Sequence, residues 1–442
     1  MRILLAAQFF PPDIGGEERH VFNLGNILAA RGHQVAVATQ HVPGAPATEV
    51  LASGVRVHRF STMAMRLPGV YAGERQHHLP FPDPVAVRRL ARILDLERPD
   101  VVHAHNWILN SILPIHRQGA RRDFGLVLTL HDYSNRCATK RMMQAGAPCA
   151  GPGPLKCVKC SVNHYGAIVG PVTCVSTAAV RPWKQRAVDY TVCVSRAVAE
   201  GNDVQDGPTV GVIPNFVPDE LVGAQAESGD RWAATRARLG LPEDDYLLFV
   251  GDLSTDKGVP VLLRAYESLG PARPRLVLVG KRTPDTPASL PDGADVHFGW
   301  PHEDVMAAFR HCIAAVLPSV WPDPCPTTVL EAMASGRPVI TTAIGGMRDM
   351  VEDGKSGLLV PPGDPHRLAS ALSSVLADPG LRAGLGARGQ EQVLRFTATA
   401  VVEQLEQVYA RVASPVHGTE GAAATSDGLV SDSRSHLPGG ML

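Results

Sequence analysis

The sequence predicts an α/β protein with two doubly wound, parallel-sheet domains. Short apolar runs, of the kind found in buried parallel strands, alternate with segments of helical periodicity along most of the 442 residues. This alternation stops in a polar stretch near residues 220–245 and then resumes. The length also suits two large α/β domains.

Charge and composition exclude several classes of protein. Lys and Arg total 42 and Asp and Glu total 43, so the chain lacks the basic excess of a nucleic-acid-binding protein. No apolar run reaches the roughly 18 residues of a membrane-spanning helix. Gln8 interrupts the apolar start of the chain, which is interpreted as a buried strand and not as a signal peptide. We therefore expect a cytoplasmic protein whose eight cysteines are mostly reduced.

The first domain is expected to span residues 1–215. Its first strand is a short apolar run, and the next segment has apolar residues at helical spacing at Val21, Leu24 and Leu28. The runs DVVHAH and GLVLTLH are typical of strands that are buried on both faces. The predicted strands are 2–7, 34–39, 54–60, 100–105, 125–131, 187–195 and 209–214, and the predicted helices are 19–33 and 84–96, with a Cys-rich insert at 137–160.

Residues 216–245 are predicted to be a linker, and residues 246–395 to be the second domain. Strands that alternate with helical segments of roughly 10–15 residues indicate βαβ units and hence a parallel sheet. The predicted strands are 246–251, 275–280, 295–299, 314–318, 338–342 and 357–360, and the predicted helices are 259–269, 303–311, 327–335, 348–353 and 365–376.

Two segments follow the second domain. Residues 396–412 are predicted to form a helix that is apolar at Val401, Leu405 and Val408. It has no later element to pack against, so we expect it to dock across a domain face. Residues 413–442 are rich in Ser, Gly, Ala and Asp and are predicted to be a disordered tail.

Four cysteines of the insert are candidate metal ligands. Cys137, Cys149, Cys157 and Cys160 are spaced C-x11-C-x7-C-x2-C in a segment rich in Gly and Pro. Such a segment has little apolar content to order it, and a structural zinc ion held by four thiolates would order it. Four reduced thiols in a mobile loop, or a disulfide pair, are the alternatives.

In open parallel sheets a ligand binds at the carboxyl ends of the strands, so the loops there are the candidate site. Gly15 and Gly16 follow the first strand and would let backbone amides at a helix N-terminus approach an anion. His131 ends the fifth predicted strand and could bond a sugar hydroxyl, although a structural role is common for a single histidine. His103 and His105 are interpreted as polar groups of a strand end and not as metal ligands.

Two further loops carry charges. Lys257 lies between a strand and a helix, where a cation would meet a phosphate or would simply be solvated. The segment is not a Walker loop, because GxxxxGK[ST] is absent. Asp323 precedes a predicted helix and Glu331 lies one turn inside it, so both carboxylates could accept hydrogen bonds from the hydroxyls of one ligand. The alternative is a loop aspartate and a glutamate that interacts with the helix dipole.

At this last segment the chain resembles glycosyltransferase family 4, the retaining enzymes of the GT-B fold, in which two Rossmann-like domains face each other across a cleft. The family pattern E-x7-E followed by AMAxGxPVI appears here as Asp323-x7-Glu331 followed by AMASGRPVI. Other matching segments are GGEERHVFNLGNILAARGHQV, PDVVHAHN, VIPNFVPD and EDGKSGLLVPPGDP. The resemblance covers roughly residues 1–410, and its motifs are specific for the superfamily but not for the substrate.

The resemblance implies a role for each matching position. The N-terminal domain would lie on the acceptor side, and the C-terminal domain would bind the donor nucleotide, with helix 396–412 crossing back to the first domain. His131 and Asp323 would contact the donor sugar at the reacting centre, and Glu331 would hold the ribose. Positions expected to contact the donor, including its diphosphate, are Gly15, Gly16, Asn215, Lys257, Lys281, Thr328 and Gly346.

The chain departs from the family pattern at three places. Asp323 replaces the family's first Glu and reaches less far. Asp252 stands where the family usually has Arg, which removes a cation from the diphosphate, and our hypothesis is that Lys281 or Arg282 replaces that charge. The Cys-rich insert is not part of the minimal family pattern, and we connect it with acceptor shape.

The predicted function is retaining transfer of a hexose from a nucleoside diphosphate sugar to an acceptor hydroxyl of a glycan, a lipid-linked sugar or a natural product. No D-x-D occurs in the chain, so no catalytic metal or other cofactor is expected. A sugar-nucleotide epimerase and a non-catalytic sugar-nucleotide sensor are alternatives, and a nicotinamide oxidoreductase ranks last because no GxGxxG follows the first strand.

The expected partners are the donor sugar and an unknown acceptor, with no nucleic acid. Basic residues cluster in two segments and could favour a peripheral contact with the inner membrane face, although solvated helix faces are the explanation that we favour for them. These residues are Arg88, Arg89, Arg92, Arg98, Arg117, Arg121 and Arg122.

Overall fold

The computed structural model describes residues 1–12, 15–66, 78–116 and 124–413. The predicted tail beyond residue 413, together with Arg117, Arg121 and Arg122, lies outside these residues.

The first sheet has eight strands in the order β10-β9-β6-β5-β1-β2-β4-β3. All neighbours are parallel except the edge pair formed by the third and fourth strands. The strands are β1 (Arg2–Ala6), β2 (Gln34–Gln40), β3 (Thr48–Val50), β4 (Arg56–Phe60), β5 (Val101–His105), β6 (Gly125–Leu130), β9 (Tyr190–Cys193) and β10 (Val210–Val212), while β7 (Met143–Gln144) and β8 (Ala147–Pro148) form a separate small hairpin. The helices are α1 (Gly16–Ala30), α2 (Pro84–Glu97), α3 (Leu109–His116), α4 (Pro154–Ala187) and α5 (Arg196–Gly201).

The second sheet has six parallel strands in the order β13-β12-β11-β14-β15-β16, which is the 3-2-1-4-5-6 order of a doubly wound fold. Its strands are β11 (Tyr246–Val250), β12 (Arg275–Val279), β13 (Ala294–His297), β14 (Ala314–Leu317), β15 (Val339–Thr342) and β16 (Leu358–Val360). The helices are α6 (Gly229–Leu239), α7 (Val259–Glu267), α8 (His302–His311), α9 (Thr327–Ala334), α10 (Met347–Met350), α11 (Pro365–Ala377), α12 (Pro379–Val393) and α13 (Ala398–Ala413). The predicted fold class is therefore confirmed.

The last part of the Cys-rich insert, residues 154–160, is helical, whereas the sequence predicted a loop. Cys157 and Cys160 lie in the first turns of α4, which consists of two segments that meet at Gly166 with a φ of 84°. A side chain on Gly170 would lie 2.5 Å from the backbone of Ser161, so the second segment folds back against the first. In a continuous helix, residues nine apart are separated by roughly 13 Å. We call residues 154–187 the α4 hairpin.

Part of the predicted linker belongs to the second domain. The ring of Trp232 in α6 stacks on His311 with centroids 3.5 Å apart, and Arg238 binds Asp304 at 2.7 Å. Because α6 is mostly polar outside these contacts, its sequence lacks the apolar periodicity that marks a packed helix.

The last helix, α13, returns to the first domain. Val401, Leu405 and Tyr409 are buried in one apolar cluster with strand residues of the first sheet. Glu406 of the same helix binds both Arg31 at 2.7 Å and His33 at 2.8 Å. Within the described residues, no helix is both long enough and apolar enough to cross a bilayer.

Candidate functional site

A cavity of about 590 Å³ lies between the carboxyl ends of the strands of the two sheets. Most of the predicted site residues line it: Gly15, Gly16, His131, Asn215, Lys257, Lys281, Asp323 and Thr328. A second depression, near Lys355 and Arg388, is lined by α12 and the loop after α10 and includes none of the predicted residues. The structure therefore brings residues from both domains, far apart in the sequence, to one place.

The loop before α9 carries Asp323, whose carboxylate accepts a hydrogen bond from the Lys257 ammonium group. Gly346 lies behind this loop and does not line the cavity. Its N–H donates to the carbonyl of Asp323 at 2.8 Å, and a side chain there would lie 1.9 Å from the carbonyl oxygen of Pro324. Gly346 therefore supports the loop, which explains why only glycine fits at this position.

Lys257 is placed in the cavity by a tight turn at the start of α7. Gly258 has a φ of 79°, and a side chain there would lie 1.9 Å from the carbonyl oxygen of Pro318. Glycine alone combines this backbone conformation with such a close approach. The turn thus holds the Lys257 loop directly against the end of β14.

Glu331 lies at the interface of the two domains but is not part of the cavity wall. Its carboxylate accepts a hydrogen bond from His302 Nε2 at 2.9 Å. The Arg19 guanidinium, which belongs to α1 in the first domain, is 3.8 Å away. Neither residue was predicted from the sequence: His302 lies outside the segments that match the family, and Arg19 lies inside the matching segment GGEERHVFNLGNILAARGHQV at a position whose partner only the tertiary structure reveals.

Four histidines cluster beneath the cavity. His105 Nδ1 and His131 Nε2 are hydrogen-bonded at 2.8 Å, and the ring of His20 lies 5.0 Å from that of His131. Burial lowers the pKa of His20 to about 4 and that of His103 to about 3, and it lowers the pKa values of His105 and His131 well below the usual range. All four are therefore neutral at pH 7. His105 occupies His131 Nε2, so Nδ1 is the ring atom left for a ligand, and the side chain of Asn215, another cavity residue, also interacts with this imidazole.

Glu17 also lines the cavity, although its sequence position predicted no role for it. Its Oε2 accepts a hydrogen bond from Asn106 Nδ2 at 2.7 Å, while Oε1 is buried and has no partner among the described residues. Burial, together with repulsion from Glu18 and Asp132, raises the pKa of Glu17 to about 8. At neutral pH this group is a carboxylic acid whose O–H can donate to a ligand.

Asn106 links Glu17 to His131. Its side-chain oxygen accepts a hydrogen bond from the His131 backbone N–H at 2.9 Å, while its amide donates to Glu17. The residue has a φ of 54°, a left-handed conformation that asparagine adopts more readily than most residues. Asn106 therefore orients two groups of the cavity wall.

Lys281 and Arg282 are the two candidates for the positive charge that Asp252 removes from the family pattern, and the structure distinguishes them. Lys281 lines the cavity together with Asp252, and the loops that carry them are joined by a bond from Leu253 N to the Lys281 carbonyl at 2.9 Å. The Arg282 guanidinium instead lies over the ring of Phe298, 5.4 Å from its centroid. Lys281 is thus the better placed cation, and its role stays a prediction.

The four cysteines of the insert line one small cavity of about 30 Å³. All of them are free thiols, and the Cys157 sulfur accepts a hydrogen bond from Gly153 N at 3.3 Å. In the part of the chain that the structure describes, no group of three or more His, Cys, Asp or Glu residues is arranged to hold a metal ion. The thiols are neighbours, but zinc binding stays a prediction.

Two family models match most of the chain. Residues 14–221 match Glycosyltransferase Family 4, and residues 233–392 match Glycosyl transferases group 1. The chain is 30% identical to glycogen synthase of Mycobacterium tuberculosis, over 92% of this chain and 94% of that protein. It is also 30% identical to a D-inositol 3-phosphate glycosyltransferase of Nocardioides sp., over 91% and 87% of the two proteins.

Solved structures share the fold at lower identity. Sucrose-phosphate synthase from Thermosynechococcus elongatus superposes with a TM-score of 0.70 at 21% identity, over 93% of this chain and 99% of that one. HepE of Anabaena in complex with UDP-glucose superposes with a TM-score of 0.65 at 17% identity, over 92% and 99% of the two chains.

Proposed function

Because this chain belongs to glycosyltransferase family 4 and has the GT-B fold, we propose that it transfers a hexose from a nucleoside diphosphate sugar to an acceptor hydroxyl, with retention of the anomeric configuration. The convergence of eight predicted site residues on one cavity between the domains carries this proposal. UDP-glucose in the related HepE structure supports the donor class.

The cations and helix ends of the cavity suit a departing diphosphate. Lys257 and Lys281 line the cavity opposite the N-terminus of α1, where the backbone at Gly15 and Gly16 is available to an anion. Lys257 donates a hydrogen bond to Asp323, and a bound donor would replace this contact. The Lys257 ammonium would then bind the diphosphate, and the Asp323 carboxylate would accept hydrogen bonds from hydroxyls of the hexose. In the same way, the Glu331 carboxylate would accept hydrogen bonds from the ribose hydroxyls in place of its hydrogen bond from His302.

The neutral state of the other groups fits a front-face mechanism. The bond from the anomeric carbon to the diphosphate breaks, the acceptor oxygen bonds that carbon on the same face, and the acceptor proton passes to the leaving phosphate. Glu17 has its pKa raised to about 8 and is therefore a poor carboxylate nucleophile at pH 7. His131 is neutral, so it would orient a sugar hydroxyl by hydrogen bonding and would not supply charge. We assign no metal to this step, because the chain has no D-x-D and its cavity carries lysines.

The test combines product analysis with substitution of Glu331. Nucleotide sugars, including UDP-glucose, are screened with simple sugar acceptors, and products are identified by NMR. We expect a new glycosidic bond of retained configuration, and Glu331→Gln should weaken donor binding by roughly 10- to 100-fold, because charged hydrogen bonds contribute roughly 1.5–3 kcal/mol.

Glu391→Gln is the matched control, because Glu391 is exposed on α12, away from the cavity, and forms an ion pair with Arg388 at 2.6 Å. It should bind the donor as the unaltered protein does. An altered sugar nucleotide without an acceptor product would instead identify an epimerase, and unchanged donor affinity in Glu331→Gln would contradict the assigned ribose site.

A further inference from the structure

The α4 hairpin exposes apolar side chains to solvent. Ile168, Val172 and Val175 are 83%, 48% and 63% exposed, and Leu155 on the first segment is 87% exposed. Residues 168, 172 and 175 follow the i, i+4, i+7 spacing of one helix face. The buried positions of the same segment include Gly170, Thr173 and Thr177, which are small.

From residue 168 to residue 177 this second segment is therefore inverted relative to an ordinary surface helix, since Ile168, Val172 and Val175 point outward while small residues are buried. No charged residue occurs between Lys159 and Arg181 to interrupt the outer face. A contiguous apolar face of this kind is typical of a surface that another body covers.

The charge of the surrounding sequence indicates what covers it. From residue 133 to residue 188 the chain contains no Asp or Glu, although the whole chain has a net charge of −1. The segment contains eight basic residues: Arg136, Lys140, Arg141, Lys156, Lys159, Arg181, Lys184 and Arg186.

Some of these bases are engaged by acids of other segments. Arg136 and Arg181 pair with Asp203, and Arg141 pairs with Asp256. Lys159 and Arg186 are exposed, one on each segment of the hairpin, away from the apolar turn around Gly166. The hairpin thus combines an uncharged apolar face with basic ends and has no acid of its own.

We propose that the α4 hairpin docks this protein on an anionic lipid bilayer, with Ile168, Val172 and Val175 inserted at the level of the headgroups and Lys159 and Arg186 against lipid phosphates. An outward apolar face with flanking basic residues is the pattern of segments that lie in a membrane interface. A second copy of this chain fits less well, because it would bring the same basic hairpin against itself. The inference does not depend on the identity of the donor or the acceptor.

The test is cosedimentation of the full chain with vesicles of phosphatidylcholine alone and with one third phosphatidylglycerol. We expect binding to the anionic vesicles that is at least tenfold tighter than to the neutral ones and that weakens as salt increases. The double variant Ile168→Ser/Val172→Ser should bind at least tenfold more weakly. The control Val50→Ser/Leu394→Ser removes exposed apolar residues elsewhere and should bind like the unaltered protein.

Thermal unfolding of both double variants shows whether they fold. The salt dependence of vesicle binding by the unaltered chain tests the proposal without any substitution. The proposal would be overturned if the unaltered chain bound both vesicle types equally or bound neither. It would also be overturned if the two double variants lost vesicle affinity to the same extent. A dimer in light scattering that Ile168→Ser/Val172→Ser converts to a monomer would show that a second copy covers the face, and the lipid proposal would be wrong. Donor binding measured without vesicles keeps these outcomes separate from the proposed transferase activity.

Discussion

At the scale of single residues, the surroundings of Glu17 have consequences for stability. The pKa of this carboxyl is raised to about 8 in the folded protein, whereas it is near 4.5 when the chain is unfolded. Between these pH values the folded protein retains a proton that the unfolded chain has lost. The contribution of Glu17 to stability is therefore lost as the pH rises from about 4.5 to about 8.

Substitution of Glu17 by Gln should remove this loss of stability with increasing pH. The amide is neutral at every pH and can keep both the bond from Asn106 and a donor toward the cavity. We therefore expect the unfolding temperature of Glu17→Gln minus that of the unaltered protein to increase as the pH rises from 5 to 8. Transfer activity of the unaltered protein should decline above about pH 8, and that of the variant should not.

Glu303→Gln provides the control, because Glu303 is an exposed acid in the first turn of a different helix. Its unfolding temperature should follow that of the unaltered protein at all pH values. A Glu17→Gln profile parallel to that of the unaltered protein would contradict the neutral carboxyl.

Residue types and spacing predicted many of the cavity residues but not their protonation states. His131, Lys257 and Asp323 could be placed because they follow predicted strands, and parallel strands bring such loops to one edge. Glu17 follows two glycines at the start of a helix, where an acid is normally exposed and interacts with the helix dipole. Its burial results from the opposing segment at Asn106 and Asp132, which local sequence does not reveal.

At the scale of elements, the Cys-rich insert offers a second test. If the four thiols hold zinc, the purified protein should contain about one zinc ion per chain by elemental analysis. Cys157→Ser should lose it and should unfold at lower temperature, because metal binding contributes to folding. Cys174→Ser is the matched control, since Cys174 lies on the same hairpin but outside the cavity that the four thiols line.

Two results would contradict the zinc site. One is a metal-free protein whose unfolding temperature a chelator leaves unchanged. The other is loss of zinc in Cys174→Ser, which would show that the predicted ligand set is wrong.

The strands were easier to predict than several helices. The buried strands β5 and β6 are continuous apolar runs, and the structure places them within one residue of the prediction at each end. The α4 hairpin was missed because Gly166, Gly170 and Pro171 interrupt helical periodicity and because its outer face is apolar. Helix α12 contains four glycines and has little amphipathic character, so its pattern resembles a connection.

At the scale of the whole molecule, the first domain holds the loop that carries Asp323. Tyr133 Oη donates to the carbonyl of Pro322 at 2.6 Å, and Asn215 Nδ2 donates to the carbonyl of Cys325 at 2.9 Å. These bonds flank Asp323 on both sides and come from the opposite domain. The approach of the two domains therefore determines the position of a group that we assign to the donor sugar.

Removal of one of these bonds should affect donor use. Tyr133→Phe leaves the Pro322 carbonyl without its donor and should cost about 1 kcal/mol. We expect KM for the donor to increase about fivefold, with a smaller change in kcat. Tyr246→Phe is the control, because the Tyr246 hydroxyl donates to the Ala308 carbonyl at 2.8 Å within the second domain. It should lower the unfolding temperature and leave KM unchanged, and equal KM values for both variants would contradict the argument.

The relation between the domains was the least predictable feature. The two doubly wound units follow from the alternation of strands and helices, but the residues that join them, such as Arg19 and Glu331, interact only through tertiary contacts. No periodicity along the chain records which loop of one domain meets which loop of the other.

The chain passes between the domains near Val217 and again near Thr397, and these two passages are bonded to each other. Val217 N donates to the Phe396 carbonyl, and Ala398 N donates to the Val217 carbonyl, both at 2.9 Å. We expect these two bonded passages to act as a hinge that permits bending about one axis and resists twisting. The two domains should therefore open by rotation about this edge. The rotation would separate Arg19 from Glu331 and leave the bonded passages in place.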